Sequence, residues 1–393
     1  LKVKEMSAYL QMGHDTENLV GETDLEEFTG IVLSPVNRDS PTLAQNVATF
    51  RSKGEYDIVF DPQLYLPTSD RGCLPEQPYF PTDIDTADLT SDSWWTDIVG
   101  KLVPCVTSLQ VDAVTSPVVL PRAWSDDYFA HCAETSDKLA AALTGSSIRS
   151  LTTVMVNFNE MGEKDRALRI ASIVSEANSA GYYLVIVSDI EPRRELVGED
   201  QLAGVMTLIH ELEKTRLPVL VSHCSSDMIL FKAAGARHCA TGKFFNLRRF
   251  TKSRYEEPAS GGGQLPYWFE HSLMAFLRGT DVRRLQDNGL GHLVGVAASN
   301  NHWAQQILAL FGSNSNEAWV RLGWRQYLSW FGKTELTLAA SDPLTTVKTW
   351  LKSAEDNWRI LEDASVLMDE PRNDGSWIRS WRQSIVKFQR DMS

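Results

Sequence analysis

The chain has 393 residues, 43% of them hydrophobic, and its 51 acidic against 38 basic side chains give a formal net charge of −13. That length suits one α/β domain of about 250–300 residues with an appendage. The acidic balance excludes a protein that coats nucleic acid in general, though not a local basic groove on an acidic body.

No run of about 20 apolar residues is present, so no membrane span is expected. The opening residues, LKVKEMSAYL, lack the apolar centre of a signal peptide. Cys73, Cys105, Cys132, Cys224 and Cys239 are scattered, with no CxxC pair. That usage fits reduced thiols and a cytoplasmic setting, and argues against a zinc ribbon.

In chain order, strand-like apolar runs fall at 9–12, 31–33, 56–60, 113–120, 151–158, 182–187, 219–221 and 237–241. An insertion rich in Pro, Asp and Thr covers 68–92, ahead of a helix at 94–109. Further helices are expected at 126–143, 163–180 and 201–215, the second with Ala167, Ile170, Ala171, Val174 and Ala177 on one face. Ser225 or Ser226 is placed to cap a short helix before Gly235. Eight strands alternating with helices predict a (β/α)8 TIM-type barrel over 8–255, ahead of an open doubly wound sheet. A Gly-rich linker follows at 256–265. The Trp-rich segments of 266–393, including YWFEHSLMAFLRG, read as a helical extension that packs on the barrel or takes a protein partner.

In such a barrel the strand ends meet at one face, where catalytic groups sit. Asp61 ends the apolar run YDIVFD and has the position of a general base or nucleophile, or of a turn cap. Asp189 and Glu160 also end strands, and paired carboxylates serve acid–base chemistry. His14, Asn37, Gln63, Tyr65, Asn157 and His223 add polar contacts for a ligand. Late barrel loops often bind phosphate, which brings in the backbone near Thr241 and Gly242 and the charge of Lys243. Arg248 and Arg249 are candidates for holding phosphate or nucleic acid. Phe244, Phe245 and Phe250 interleave with these cations, as base-stacking or packing residues do. The HxH of many metal-dependent barrel hydrolases is missing after the first strand, so no metal and no other cofactor is expected.

The order of these strand ends resembles that of the tRNA-guanine transglycosylase superfamily and its 7-deazaguanine-modifying relatives. FDPQLY, with Asp61, Gln63 and Tyr65, is similar to the family's strand-end Asp followed by Gln or aromatic residues. VSHCSSDMILFKAAGARHCATGKFFNLRR resembles its late strand, helix, and strand leading into a basic motif. The resemblance implies a glycosyltransferase-like barrel that exchanges or binds a purine or 7-deazaguanine base, free or in nucleic acid, with Asp61 at the exchange centre. It also implies a setting in anti-phage defence. The family's late nucleophilic Asp falls near Ala240 or Thr241, which carry no carboxylate, and its cysteine-rich zinc site has no counterpart. A binding barrel without turnover is therefore the alternative, and a metal-dependent hydrolase a more distant one.

Overall fold

A computed structural model closes eight parallel strands into a barrel, in the order β1 to β8. The described residues are 7–23, 25–163, 165–255, 265–295, 301–313, 318–370 and 373–392. The strands are β1 (Ser7–Gln11), β2 (Phe28–Leu33), β3 (Asp57–Phe60), β4 (Ala113–Thr115), β5 (Arg149–Asn157), β6 (Tyr182–Val187), β7 (Val219–Ser222) and β8 (His238–Thr241). β1 pairs with β8, Tyr9 opposite Ala240, and this closes the ring. Each expected strand is present. β4 is shorter than expected because Pro117 has no N–H for a ladder. Its continuation stays extended, and the Leu120 N–H donates to the Tyr65 carbonyl at 2.9 Å.

The helices between the strands are α1 (Ser40–Lys53), α2 (Asp92–Leu109), α3 (Asp126–Ala142), α4 (Arg166–Val174), α5 (Glu199–Lys214) and α6 (Met228–Ala233). Side-chain caps explain several starts: Asp39 accepts from the Thr42 N–H, Ser91 from Trp94 and Ser125 from Tyr128. α6 departs from expectation, because Asp227 holds its N-cap position. The Ser225 N–H donates to Asp227, and the Ser226 hydroxyl turns away to Glu195.

Strand alternation sorts side chains into two cores. Inward residues, among them Tyr9, Val32, Val59, Leu151, Met155, Tyr183, Val185, Leu220 and Ala240, fill the barrel. Outward residues such as Leu10, Ile31, Phe60 and Leu184 pack under the helices. At the N-terminal end the Tyr9 hydroxyl donates to Asp57 at 2.6 Å, and Asp57 also pairs with Arg149. The Tyr9 ring lies over Gly30, where a side chain would collide with it.

The chain beyond the barrel is not all helical. Residues of YWFEHSLMAFLRG form an antiparallel hairpin, β9 (Trp268–Glu270) and β10 (Ala275–Leu277). Its aromatic and apolar runs suit strands. The Gln326 amide satisfies the hairpin edge by bonding both the N–H and the carbonyl of Phe269, at 3.0 and 2.8 Å. Helices α7 (Gly279–Asp287), α8 (His302–Gly312), α9 (Val320–Ala339), α10 (Pro343–Asp363) and α11 (Ser376–Met392) complete the chain. α9 packs on β1 and β8, α10 on α6, and α11 on α5. The expected Gly-rich linker lies outside the described residues over 256–264.

Candidate active site at the barrel mouth

Loops after β1, β2, β3, β6 and β8 surround a cavity of about 470 Å³. Arg71, Arg193, Lys243, Arg248 and Arg254 line it, together with His14, Asn37 and the rings of Phe244, Phe245, Tyr267 and Trp324. No Asp or Glu is among the lining residues. Arg193 is the only one of the five cations with a carboxylate partner among the described residues, Glu191 at 2.5 Å.

The other four form no ion pair among the described residues, although the charge of Glu195 reaches Arg248. Lys243 is buried, and its ammonium sits 4.7 and 5.0 Å from the rings of Phe244 and Trp324. Burial lowers its pKa from the usual lysine value. The acids whose charge reaches it, Asp15 and Glu17, also face Arg38. The Arg248 guanidinium lies 3.7 Å from the Tyr327 ring centre and donates to the carbonyls of Gly242 and Lys243, each at 2.9 Å. Burial pulls its pKa down to about 10. Arg254 is 7% exposed. One of its guanidinium nitrogens reaches the Met12 carbonyl and the Ser34 hydroxyl at 3.4 and 3.3 Å, while its Nη1 is buried without a partner. Arg71 is half-buried.

Beneath this cavity lies a sealed polar chain centred on Asp61, which is fully buried at the end of β3. Its carboxylate accepts from the Tyr65 hydroxyl (2.9 Å), the Tyr183 hydroxyl (3.1 Å) and the Gln63 N–H (3.0 Å). Tyr183 also bonds the Ser222 hydroxyl at 2.7 Å, which in turn meets His223 Nδ1 at 2.5 Å. On the other side the Gln63 side chain accepts from Ser34, the same hydroxyl that Arg254 contacts. Hydrogen bonds thus connect Arg254 at the cavity with Asp61 in the core. Burial raises the Asp61 pKa to about 6, while the phenols and the Gln63 amide oppose the rise. Burial, with the Arg254 charge as a second cause, holds His223 well below the ordinary histidine value. Gln63 and His223 both adopt left-handed backbone, with φ of 55° and 59°. Strain of this kind in non-glycine residues gathers at functional sites.

An aromatic strap covers Asp61. Phe250 and Tyr255 stack at 5.7 Å and meet the Tyr65 ring edge-on at 5.2 and 5.4 Å. Phe250 forms a bridge to Val187 of β6, and the Ser69 hydroxyl donates to the Tyr255 carbonyl.

The structure therefore divides the residues singled out in the sequence. His14, Asn37, Lys243 and Arg248 line the cavity. Asp61, Gln63, Tyr65 and His223 form the buried chain. Thr241 donates to the Cys224 carbonyl at 2.7 Å and meets Tyr327 at 3.0 Å, so it joins the barrel to α9. Gly242 accepts from Arg248, and a side chain there would strike Leu247. Arg249 lies apart from the cavity lining and pairs with buried Asp227 at 3.3 Å. The neighbouring Glu195 is pushed up to about 7 by burial and by Asp227. Asp189 is exposed, Glu160 pairs with Arg166 at 3.3 Å, and Asn157 caps the Asn159 N–H. None of these last three lines the cavity or touches Asp61. Sequence reasoning missed Arg71, Tyr183, Tyr267 and Trp324. Tyr183 had a signal: it alternates with Val185 inside YYLVIV, which places both on one strand face. Among the described residues no group of three or more His, Cys, Asp or Glu is arranged to hold a metal.

No family model and no curated protein matches the chain in sequence. Solved structures resemble it at low identity. Thiamine phosphate pyrophosphorylase from Pyrococcus furiosus is 11% identical over 61% of this chain and 86% of its own, with a TM-score of 0.33. A putative lyase/mutase from Burkholderia cenocepacia is 12% identical over 66% and 89%, with a TM-score of 0.35. A putative dihydrodipicolinate synthetase from Pseudomonas aeruginosa is 11% identical over 83% and 99%, with a TM-score of 0.35. At these TM-scores the likenesses carry no argument. The chain is a (β/α)8 TIM-type barrel with a C-terminal helical region.

Proposed function

We propose that this barrel binds a negatively charged ligand with a flat, purine-like part in the cavity at its C-terminal mouth. One observation carries the reading: four cations, Arg71, Lys243, Arg248 and Arg254, meet there with no carboxylate paired to them among the described residues, in a chain of net charge −13. Burying unpaired charge is costly, so an anion that restores the balance gains strongly. The flat part is supported by Phe244, Phe245 and Trp324, since a base stacks on such rings. Asn37 and His14 supply polar edges. A purine or 7-deazaguanine base is the choice consistent with the transglycosylase resemblance.

Binding is favoured over base exchange. The inward position on β8 is Ala240, which cannot form a covalent link through a carboxylate. A catalytic reading keeps one supporting observation, a sealed Asp61 with a pKa of about 6 that hydrogen bonds connect to the cavity. In that reading Asp61 stabilises a sugar cation once the strap of Phe250 and Tyr255 lifts.

Calorimetric titration with guanosine monophosphate tests the proposal. Wild-type protein is expected to bind it, and Lys243→Ala to weaken binding roughly tenfold, about 1.4 kcal/mol. Absence of binding to wild type, or equal affinity in the variant, contradicts it.

A further inference from the structure

We propose that the natural ligand of the mouth cavity carries two linked phosphates, as a nucleoside diphosphate or a diphosphate-linked sugar does. The inference rests on the anion-binding reading above and names its substrate class. It starts from a count of charge. A phosphate monoester carries about −1.5 to −2 at neutral pH. That balances about two of the four cations and leaves the others without an ion-pair partner among the described residues, Lys243, Arg248 and Arg254 being buried and Arg71 half-buried. A linked diphosphate carries about one further negative charge and adds acceptor oxygens.

The donors are available for such a group. Two of Arg248's three guanidinium nitrogens are spent on the carbonyls of Gly242 and Lys243, and Nη1 makes no hydrogen bond among the described residues. Lys243 Nζ rests on aromatic faces and has no oxygen partner among the described residues. Arg254 leaves Nη1 unpartnered although the residue is 7% exposed. Among the described residues Arg71 makes no side-chain hydrogen bond or ion pair, and it comes from the loop after β3, whereas the other three follow β8. The cations thus enter the cavity from two sides of the mouth, an arrangement that suits an extended anion bridging them. A volume of about 470 Å³ lies within the range of small-molecule sites and leaves room for a base or sugar beside Phe244 and Trp324.

The test is a ladder of probes in one calorimetric series on the full chain: inorganic phosphate, pyrophosphate, guanosine monophosphate, guanosine diphosphate and citrate. Pyrophosphate is expected to bind at least tenfold more tightly than phosphate, and guanosine diphosphate at least tenfold more tightly than the monophosphate. Arg71→Ala should erase most of the diphosphate advantage while its thermal unfolding matches wild type, since the Arg71 side chain bonds no other element among the described residues. Equal binding of one and two phosphates overturns this inference and leaves the anion-binding reading standing. Citrate binding as tightly as pyrophosphate overturns the phosphate assignment. Failure of every probe overturns both readings.

Discussion

At Asp61, burial and hydrogen bonding pull the carboxyl in opposite directions, and burial wins. Its pKa is raised from the ordinary 3.8 to about 6. Between those values the folded protein holds a proton that the unfolded chain has lost. Stability from this residue is therefore greatest at low pH and falls as pH rises through the window from about 4 to 6. The fall is on the order of 3 kcal/mol. Asp61→Asn keeps the shape and removes the titration. Urea unfolding at several pH values should show wild type losing stability relative to the variant across that window. Parallel profiles would mean that Asp61 is ionised or solvated in the folded state. Glu195, raised to about 7, titrates in both proteins and cancels in the difference.

Asp61 was legible in the sequence because a carboxylate at the end of an apolar strand is conspicuous. Its partner Tyr183 was less so: alternation puts it on one strand face with Val185, but only the closed barrel makes that face the inner one. The Arg248–Arg249 pair shows the same limit. Adjacent in sequence, the two diverge in space, one into the cavity and the other onto Asp227.

Among elements, the eight strands were legible because each is a short apolar run bounded by polar or turn residues. The β9–β10 hairpin was missed because WFEHSLMAFL carries apolar residues at spacings that suit a helix as well as strands. Its choice is settled by α9, where Trp330 lies 4.0 Å from Phe269 and Gln326 satisfies the edge. The joint between barrel and extension was equally hidden. Lys232 of α6 and Glu335 of α9 form a fully buried pair at 2.6 Å. Lys232 also donates to the Arg237 carbonyl, and Glu335 accepts from the Cys239 N–H. Removing one partner strands a buried charge and costs about 3–5 kcal/mol, whereas replacing both by apolar residues is often near neutral. Glu335→Leu should therefore lower unfolding stability by that amount in denaturant titrations. The double variant Lys232→Met, Glu335→Leu should recover most of the loss. A single variant as stable as wild type would show that the pair does not hold the joint.

Over the whole molecule, the acidic surface and the basic mouth act at different ranges. At physiological salt a charge is screened within about 8 Å, so the net −13 does not cancel cations gathered around one cavity. The sequence showed Lys243 and Arg248 in a basic run after β8, but not Arg71, which lies within a long irregular insertion and reaches the mouth only through the fold. Helix α9, which packs on β1, β8 and α6, supplies Tyr327 and Trp324, the rings that carry Arg248 and Lys243. The extension thus builds part of the site.

The central claim, that the mouth cavity is an anion site, is tested most directly by locating a bound anion. Crystals soaked in tungstate should show anomalous density between Arg71, Lys243 and Arg254, and crystals of Lys243→Ala should show it weakened. Density confined to other surfaces, or a mouth cavity without any at saturating tungstate, would contradict the account.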